Sequence, residues 1–358
     1  MKNYTSYDLI EWGKPYAKSQ HALPEPTLSE VLIRVTAAGL CHSDLHVQKE
    51  YMDLGEEGRL TFAERGAQLP MTFGHEIAGF VEAVGDKVKN VSIGQQVLVC
   101  PWIGCGDCLA CCEDRESDCS AMRIIGLKQK GGFATHCLIE NEKFLVNIDG
   151  LDAAEVVPHA CSGITVYNAL EKIGFLRDGE WLAVMGCGGL GLNAIAIAGA
   201  MGFENVIGID IDNSKLDAAR EMGASITLNS KSANAVAELQ KYAESRLMAV
   251  IDTFGGESTG QLAVRTLAKS GQLLLVGQGG GDFKMPQVWL PQKDMTVRGS
   301  HVGNSPQLRK LIDMVRDGKV KQIPIECRQL SGINQAVEDL EKGRVTGRIV
   351  FQPDQGKL

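Results

Sequence analysis

The sequence predicts an α/β fold in which a doubly wound parallel sheet is joined to an irregular β-rich domain. Three observations carry that expectation. From Trp181 onward, strand-like apolar runs alternate with helix-like stretches, the rhythm of a parallel sheet with right-handed crossovers. The first 150 residues instead hold short β-rich runs separated by Gly, Pro and Asp turns. From about Met295 the chain offers a strand, an amphipathic helix (PQLRKLIDMVRDGK) and a closing GRIVFQP, placed to return to the first domain.

Taken in order, VLIRVTAAG, IAGFVEAVG, QQVLVC and FATHCLIE read as the strands of the first domain. Between the first two lies YMDLGEEGRLTFAERGAQLP, residues 51–70, a long polar insertion. Its plain reading is a solvated loop, and its sharper one an active-site flap or subunit contact. The second domain opens with a buried strand over Trp181–Met185, a glycine turn, a helix to about Met201 and a strand ending in Asp210. ASITLN, LMAVIDTF and GQLLLVG continue as strands, with helices at LDAAREMG, near 232–244 and at STGQLAVRTLAKSG. The run WLAVMGCGGLGLNAIAIAGAMG has about the length of a membrane span, but its glycines and the VIGID strand that follows fit a βα unit better.

Composition narrows the function. With 44% hydrophobic and 22% charged residues, the 358-residue chain has the make-up of a globular protein large enough for two cores. A net charge of −8 with no basic run argues against nucleic acid and against an anionic membrane surface as partners. MKNYTSYDLIEWGKPY has no apolar signal region, so a cytoplasmic protein is expected. Eleven cysteines, an odd number without an export signal, point to reduced thiols, and clustered reduced thiols to metal.

The cluster is CGDCLACCEDRESDC. Cys105, Cys108, Cys111 and Cys119 give C-x2-C-x2-C-x7-C, four soft ligands suited to tetrahedral zinc, with Cys112 an available stand-in for Cys111 and an iron–sulfur cluster the main rival. Four protein ligands close the coordination sphere, so this loop is expected to be structural. A second, open set comes from GLCHSDLH, GHEIAG and ACSGIT, which offer Cys41, His75 and Cys161. Three such ligands leave a fourth position for water or an alcohol oxygen.

A cofactor motif accompanies them. Gly186, Gly188 and Gly191 fit G-x-G-x-x-G between a strand and a helix, the arrangement that brings a pyrophosphate onto a helix N-terminus. Asp210, 19 positions after Gly191, suits the ribose 2′-hydroxyl and would repel a 2′-phosphate, favouring NAD over NADP; Asp212 is an equally available carboxylate.

Together, in this order and approximate spacing, CHSD, GHE, the four-cysteine loop, CSGIT and GCGGLG resemble the zinc-dependent alcohol dehydrogenases of the medium-chain dehydrogenase/reductase family, over essentially the whole chain. The resemblance implies a GroES-like catalytic domain over 1–156 and 296–358, carrying the structural-zinc loop 105–119, interrupted by a Rossmann NAD-binding domain over 157–295. It implies one catalytic and one structural zinc per chain, a small alcohol or carbonyl substrate, and a homo-oligomer, dimer or tetramer. By the same resemblance Cys41, His75 and Cys161 bind the catalytic zinc, with Glu76 a carboxylate near the metal and Asp44 orienting the histidine. Ser43 is the hydroxyl of a proton relay and His46 its outlet. Asp210 and Lys215 embrace the adenosine ribose, Arg348 lies near the pyrophosphate, Val276 is a further cofactor contact, and His42 stands where many members carry an arginine. Trp102 is implied as an apolar wall, hinting at hydrophobic primary or secondary alcohols. A polyol dehydrogenase, disfavoured by Cys161, and a non-enzymatic NAD-binding redox sensor are the alternatives.

Overall fold

A computed structural model of the chain describes residues 2–243 and 246–354. Its larger sheet has seven strands, in the spatial order Leu145–Asn147, Gln96–Val99, Glu76–Val84, Val31–Gly39, Arg348–Gln352 and Ile325–Gln329, with His136–Ile139 also pairing with Val31–Gly39. The closing strand does return. Val350 lies opposite Gly39 and Phe351 opposite Ala38, and Phe351 packs edge-on to Phe133 at 5.6 Å. Of the central strands, Val31–Gly39 is buried at seven of nine positions and Glu76–Val84 at five of nine.

The second sheet is six parallel strands in the order Ile226–Asn229, Val206–Asp210, Trp181–Met185, Leu247–Asp252, Gln272–Leu275 and Thr296–Gly299. Numbered along the chain this is 3-2-1-4-5-6, the doubly wound dinucleotide-binding order, whose ligand crevice opens where the order reverses, at the carboxyl end of the first strand. Burial on both faces explains why its strands read as unbroken apolar runs such as LAVM. The boundary expected at 295 needs correction: Thr296–Gly299 pairs with Gln272–Leu275 as the last strand of this sheet. It is a short edge strand with mostly exposed residues, so it carries no apolar run to mark it.

Most expected helices are present, at Gly189–Ala200, Asn213–Met222, Ala235–Tyr242, Glu257–Thr266 and Ser305–Arg316. The stretch expected to be helical near 232–244 runs one residue past the described part of that segment. The polar insertion is not a loose loop. Tyr51–Asp53 and Arg59–Thr61 form an antiparallel hairpin whose tip meets the other domain: the Glu56 amide donates to Asp282 at 3.0 Å and Lys284 pairs with the Glu56 carboxylate at 2.8 Å.

Candidate active site and metal centres

Cys41 follows the central strand and caps the short helix His42–Gln48. One oxygen of Asp44 accepts the Cys41 N–H at 2.9 Å, and the other lies 3.5 Å from His75 Nδ1. A single carboxylate therefore fixes both the turn and the ring. His75 is held by a turn that only glycine permits: Gly74 has φ +89°, and a Cβ there would lie 2.6 Å from the Phe133 ring. Cys161 arrives from the far side at the start of helix Ser162–Ile173, its Sγ 3.9 Å from that of Cys41. Donor atoms of Cys41, His75, Glu76 and Cys161 all lie within 4.8 Å of one another, and all four residues are buried.

The electrostatics of this cluster are those of ligands. The Cys161 hydrogen bond, opposed by burial, drives the Cys41 thiol well below its ordinary pKa, and the same contact with burial raises Cys161. Burial opposes charge on His75, yet Asp44 and Cys41 lift its pKa well above the ordinary value. His75 Nε2 is buried without a hydrogen-bond partner among the described residues. An unpartnered imidazole nitrogen beside two close sulfurs is a donor set that fits zinc, which binds by displacing just these protons.

Glu76 is different in kind. Its Oε1 lies 3.0 Å from Arg348 Nη2, while neither carboxylate oxygen finds an aligned hydrogen bond, so the attraction is chiefly that of charge. Burial pushes the Glu76 carboxyl up to about 8, with Arg348 pulling against it. Arg348 also donates to the Leu40 carbonyl at 3.1 Å and is itself buried.

In the cysteine loop the sulfurs of Cys105, Cys108, Cys111 and Cys119 likewise lie within 4.8 Å of one another. Amides point at two of them: Cys108 N–H donates to Cys105 Sγ and Cys105 N–H to Cys119 Sγ, each at 3.4 Å. The Cys105 amide is the main reason Cys119 is lowered to about 7. Cys112 is exposed and turned to the Asp107 carbonyl, so Cys111 is the third member. Four convergent sulfurs fit a closed tetrahedral site. Replacing Cys111 by serine is expected to release one ion per chain and to lower stability by about 3 kcal/mol, the scale of a lost cross-link over a loop of about 15 residues; calorimetry with metal analysis checks it.

The glycine turn is shaped for a pyrophosphate. Gly186 has φ +88°. A Cβ on Gly191 would lie 1.7 Å from the Gly186 carbonyl, so helix and strand meet only through glycine, whereas a Cβ on Gly188 would meet nothing. The Asp210 carboxylate is held by the amides of Cys187, Ile211 and Asp212 at 2.7–3.0 Å. Asp212 instead caps its own helix through the Ser214 amide, which leaves Asp210 as the carboxylate facing the cleft. A cavity of about 440 Å³ runs between the domains and is lined by Cys41, His75 and Cys161 together with the three motif glycines, Asp210, Lys215, Val276 and Arg348. The residues present therefore fit a dinucleotide.

Ser43, His42, His46 and Trp102 line the same cavity. Ser43 Oγ is 3.8 Å from Cys41 Sγ. His42 and His46 face each other edge-on at 5.5 Å, and among the described residues no hydrogen bond joins Ser43 to His46. Trp102 packs against His75 at 5.8 Å. Phe62, Arg65, Ile124, Leu127 and His301 also line the cavity and fall on no motif; the only sequence signal for Phe62 and Arg65 is their place in the 51–70 insertion.

Comparison with known proteins agrees with this architecture. Residues 27–150 match the alcohol dehydrogenase GroES-like domain, and residues 189–317 the zinc-binding dehydrogenase domain. The NAD-dependent alcohol dehydrogenase of Sulfurisphaera tokodaii is 36% identical over 96% of this chain and 99% of its own, and that of Saccharolobus solfataricus 35% identical over 96% and 99%. The crystal structure of the alcohol dehydrogenase of Aeropyrum pernix superposes with a TM-score of 0.88 at 29% identity, covering 98% of this chain and all of that one. The chain belongs to the zinc-dependent alcohol dehydrogenases of the medium-chain dehydrogenase/reductase family. Among the described residues no helix is long and apolar enough to cross a membrane.

Proposed function

We propose that the protein is an NAD-dependent dehydrogenase that reversibly oxidises primary or secondary alcohols with apolar bodies to aldehydes or ketones. It would hold a catalytic zinc at Cys41, His75 and Cys161 and a structural zinc at the 105–119 loop. One observation carries this reading: a three-donor set with a buried, unpartnered His75 Nε2 lies on the wall of the same cleft as the glycine turn. Zinc, when bound, supplies Lewis acidity toward an alcohol oxygen, and NAD accepts a hydride, so that the alcohol gives up one hydride and one proton.

The chain's own residues do the rest. Asp44 orients His75 through Nδ1 and leaves Nε2 free to ligate. Ser43 presents a hydroxyl to the cavity beside Cys41, placed to take the alcohol proton. Burial and the neighbouring His42 hold His46 below the ordinary histidine value, which keeps it a proton acceptor at neutral pH. Trp102, Phe62 and Leu127 line the cavity with apolar surface that excludes water. Arg348 places a permanent positive charge beside Gly189, where a Cβ would lie 3.5 Å from its guanidinium carbon. That favours an anionic group at the helix N-terminus.

Alanine at Ser43 is expected to lower turnover by about 10²–10⁴-fold, the range for lost proton transfer, with NAD affinity changed only a few-fold. Equal turnover by the variant removes Ser43 from the mechanism. NADH formation with a panel of alcohols, alongside metal counting, tests the reading as a whole: two ions per chain, with turnover following one of them, supports it, and no turnover by zinc-loaded protein defeats it. A homo-oligomer is part of the proposal, because Thr296–Gly299 leaves an open, exposed sheet edge able to pair with a second copy.

A further inference from the structure

Among the described residues, Arg65 is a cation on the cavity wall with no counter-charge. Its guanidinium lies over Phe62 at 5.3 Å, and its nearest polar contact is the weakly accepting sulfur of Met52 at 3.1 Å. Among the described residues no carboxylate pairs with it. The carboxylates that line the cavity are each engaged elsewhere: Asp44 with the Cys41 amide and His75, Asp210 with three amides, and Glu341 with Lys49 at 2.7 Å. A half-buried guanidinium pays for partial desolvation without an ion pair in return, and burial does lower the Arg65 pKa.

It lines the cavity together with the apolar side chains of Phe62, Leu127 and Trp102. Trp102 stands between His75 and His301, with ring spacings of 5.8 and 6.3 Å. Burial, then Arg65 and Lys172, hold the His301 imidazole below its ordinary value, and both Arg65 and His301 line the cavity. The uncharged form of His301 is thereby favoured, which leaves Arg65 as the charged group of the two. Lys172 is occupied with Ser300 at 3.0 Å.

We propose that Arg65 is a specificity-determining residue that pairs with an anionic oxyacid group, carboxylate or phosphate, at the end of the substrate remote from its alcohol carbon. A planar fork of N–H donors matches either anion, and the apolar wall of Phe62, Leu127 and Trp102 suits the carbon chain between. The inference rests on the dehydrogenase reading above and refines its substrate class from plain hydrophobic alcohols to alcohols with an apolar stem and a charged terminus.

The test compares 1-alkanols, ω-hydroxycarboxylates and ω-hydroxyalkyl phosphates of matched chain length on the zinc-loaded holoenzyme. At the optimal length kcat/KM is expected to favour one anionic series over the alkanols by about 10–100-fold, the scale of a charge-assisted hydrogen bond, and the series favoured identifies the anion. Arg65→Met should collapse that ratio, chiefly through KM, and Arg65→Lys should restore part of it. Calorimetric titration of hexanoate and of hexyl phosphate into the NADH complex gives a readout free of turnover: the favoured anion should bind the native protein and lose about tenfold in Arg65→Met. Lack of any anionic preference in the native enzyme overturns the proposal, as does an equal loss on all three series. If no alcohol is turned over but an anion still binds through Arg65, the anion site stands and the dehydrogenase reading falls.

Discussion

Alanine at Cys161 should reduce turnover by at least about 10⁴-fold and cut the metal content from two ions per chain to one, while NAD still binds. Three strong donors converge on the centre, and removal of one leaves Cys41 and His75 with only Glu76, which Arg348 holds at 3.0 Å. The Lewis acidity that lowers an oxygen acid's pKa by many units, from about 15.7 to about 7 for water, is lost with the ion. Cys161 is the cleanest ligand to remove because its side chain makes no cap bond to the helix it precedes. Cys41 and Asp44, by contrast, cap their helix reciprocally. The fold should therefore survive, and metal analysis, kinetics and NADH fluorescence together read the result. Full activity with one ion would show that the open set is not the reactive centre.

Above the raised Glu76 value of about 8, where its carboxylate is charged, Glu76→Ala should lower stability by about 3–5 kcal/mol, the usual cost of breaking a buried ion pair from one side. Arg348 stays charged under all ordinary conditions, lies buried, and has Glu76 as its ion-pair partner in the described structure. Its remaining bond, to the Leu40 carbonyl, supplies no charge. The loss should be largely recovered when Arg348 is also changed to Met, since replacing both members of a buried pair by apolar groups is often neutral. Denaturant unfolding of the two single variants and the double variant measures the coupling, and additive losses would show that the pair does not act as one.

Much of the site is legible in the sequence because its chemistry is local. The cluster cysteines lie in one loop and Gly186, Gly188 and Gly191 in another, so spacing defines both groups; Asp44 lies three residues from Cys41 in one turn, but its role is reached only through the family resemblance. Choosing Cys111 over Cys112, or Asp210 over Asp212, needs side-chain direction, which spacing does not encode: the Asp107 carbonyl holds Cys112 outward and the Ser214 amide engages Asp212. The Arg348–Glu76 pair spans most of the chain and is invisible until the last strand joins the first domain. Phe62 and Arg65 come from the segment after the hairpin and His301 from the loop after the sixth strand, brought to one cavity only by the docking of two domains. The membership of the edge strand Thr296–Gly299 is hidden for a related reason, being fixed by backbone pairing and not by apolar side chains.

The hairpin tip that grips residues 282–284 ties a wall of one domain to the floor of the other. Its contacts are exposed, and exposed ion pairs contribute only about 0–1 kcal/mol, so the clasp is easily undone and weakens further in salt. Phe62 follows directly on this hairpin, tied to it by the hydrogen bond its N–H donates to the Glu50 carbonyl, and Arg65 stands three residues on. The wall that carries Phe62 and Arg65 and the segment at residues 282–284 are in this way coupled: a displacement of either is felt by the other unless the Glu56 contacts let go.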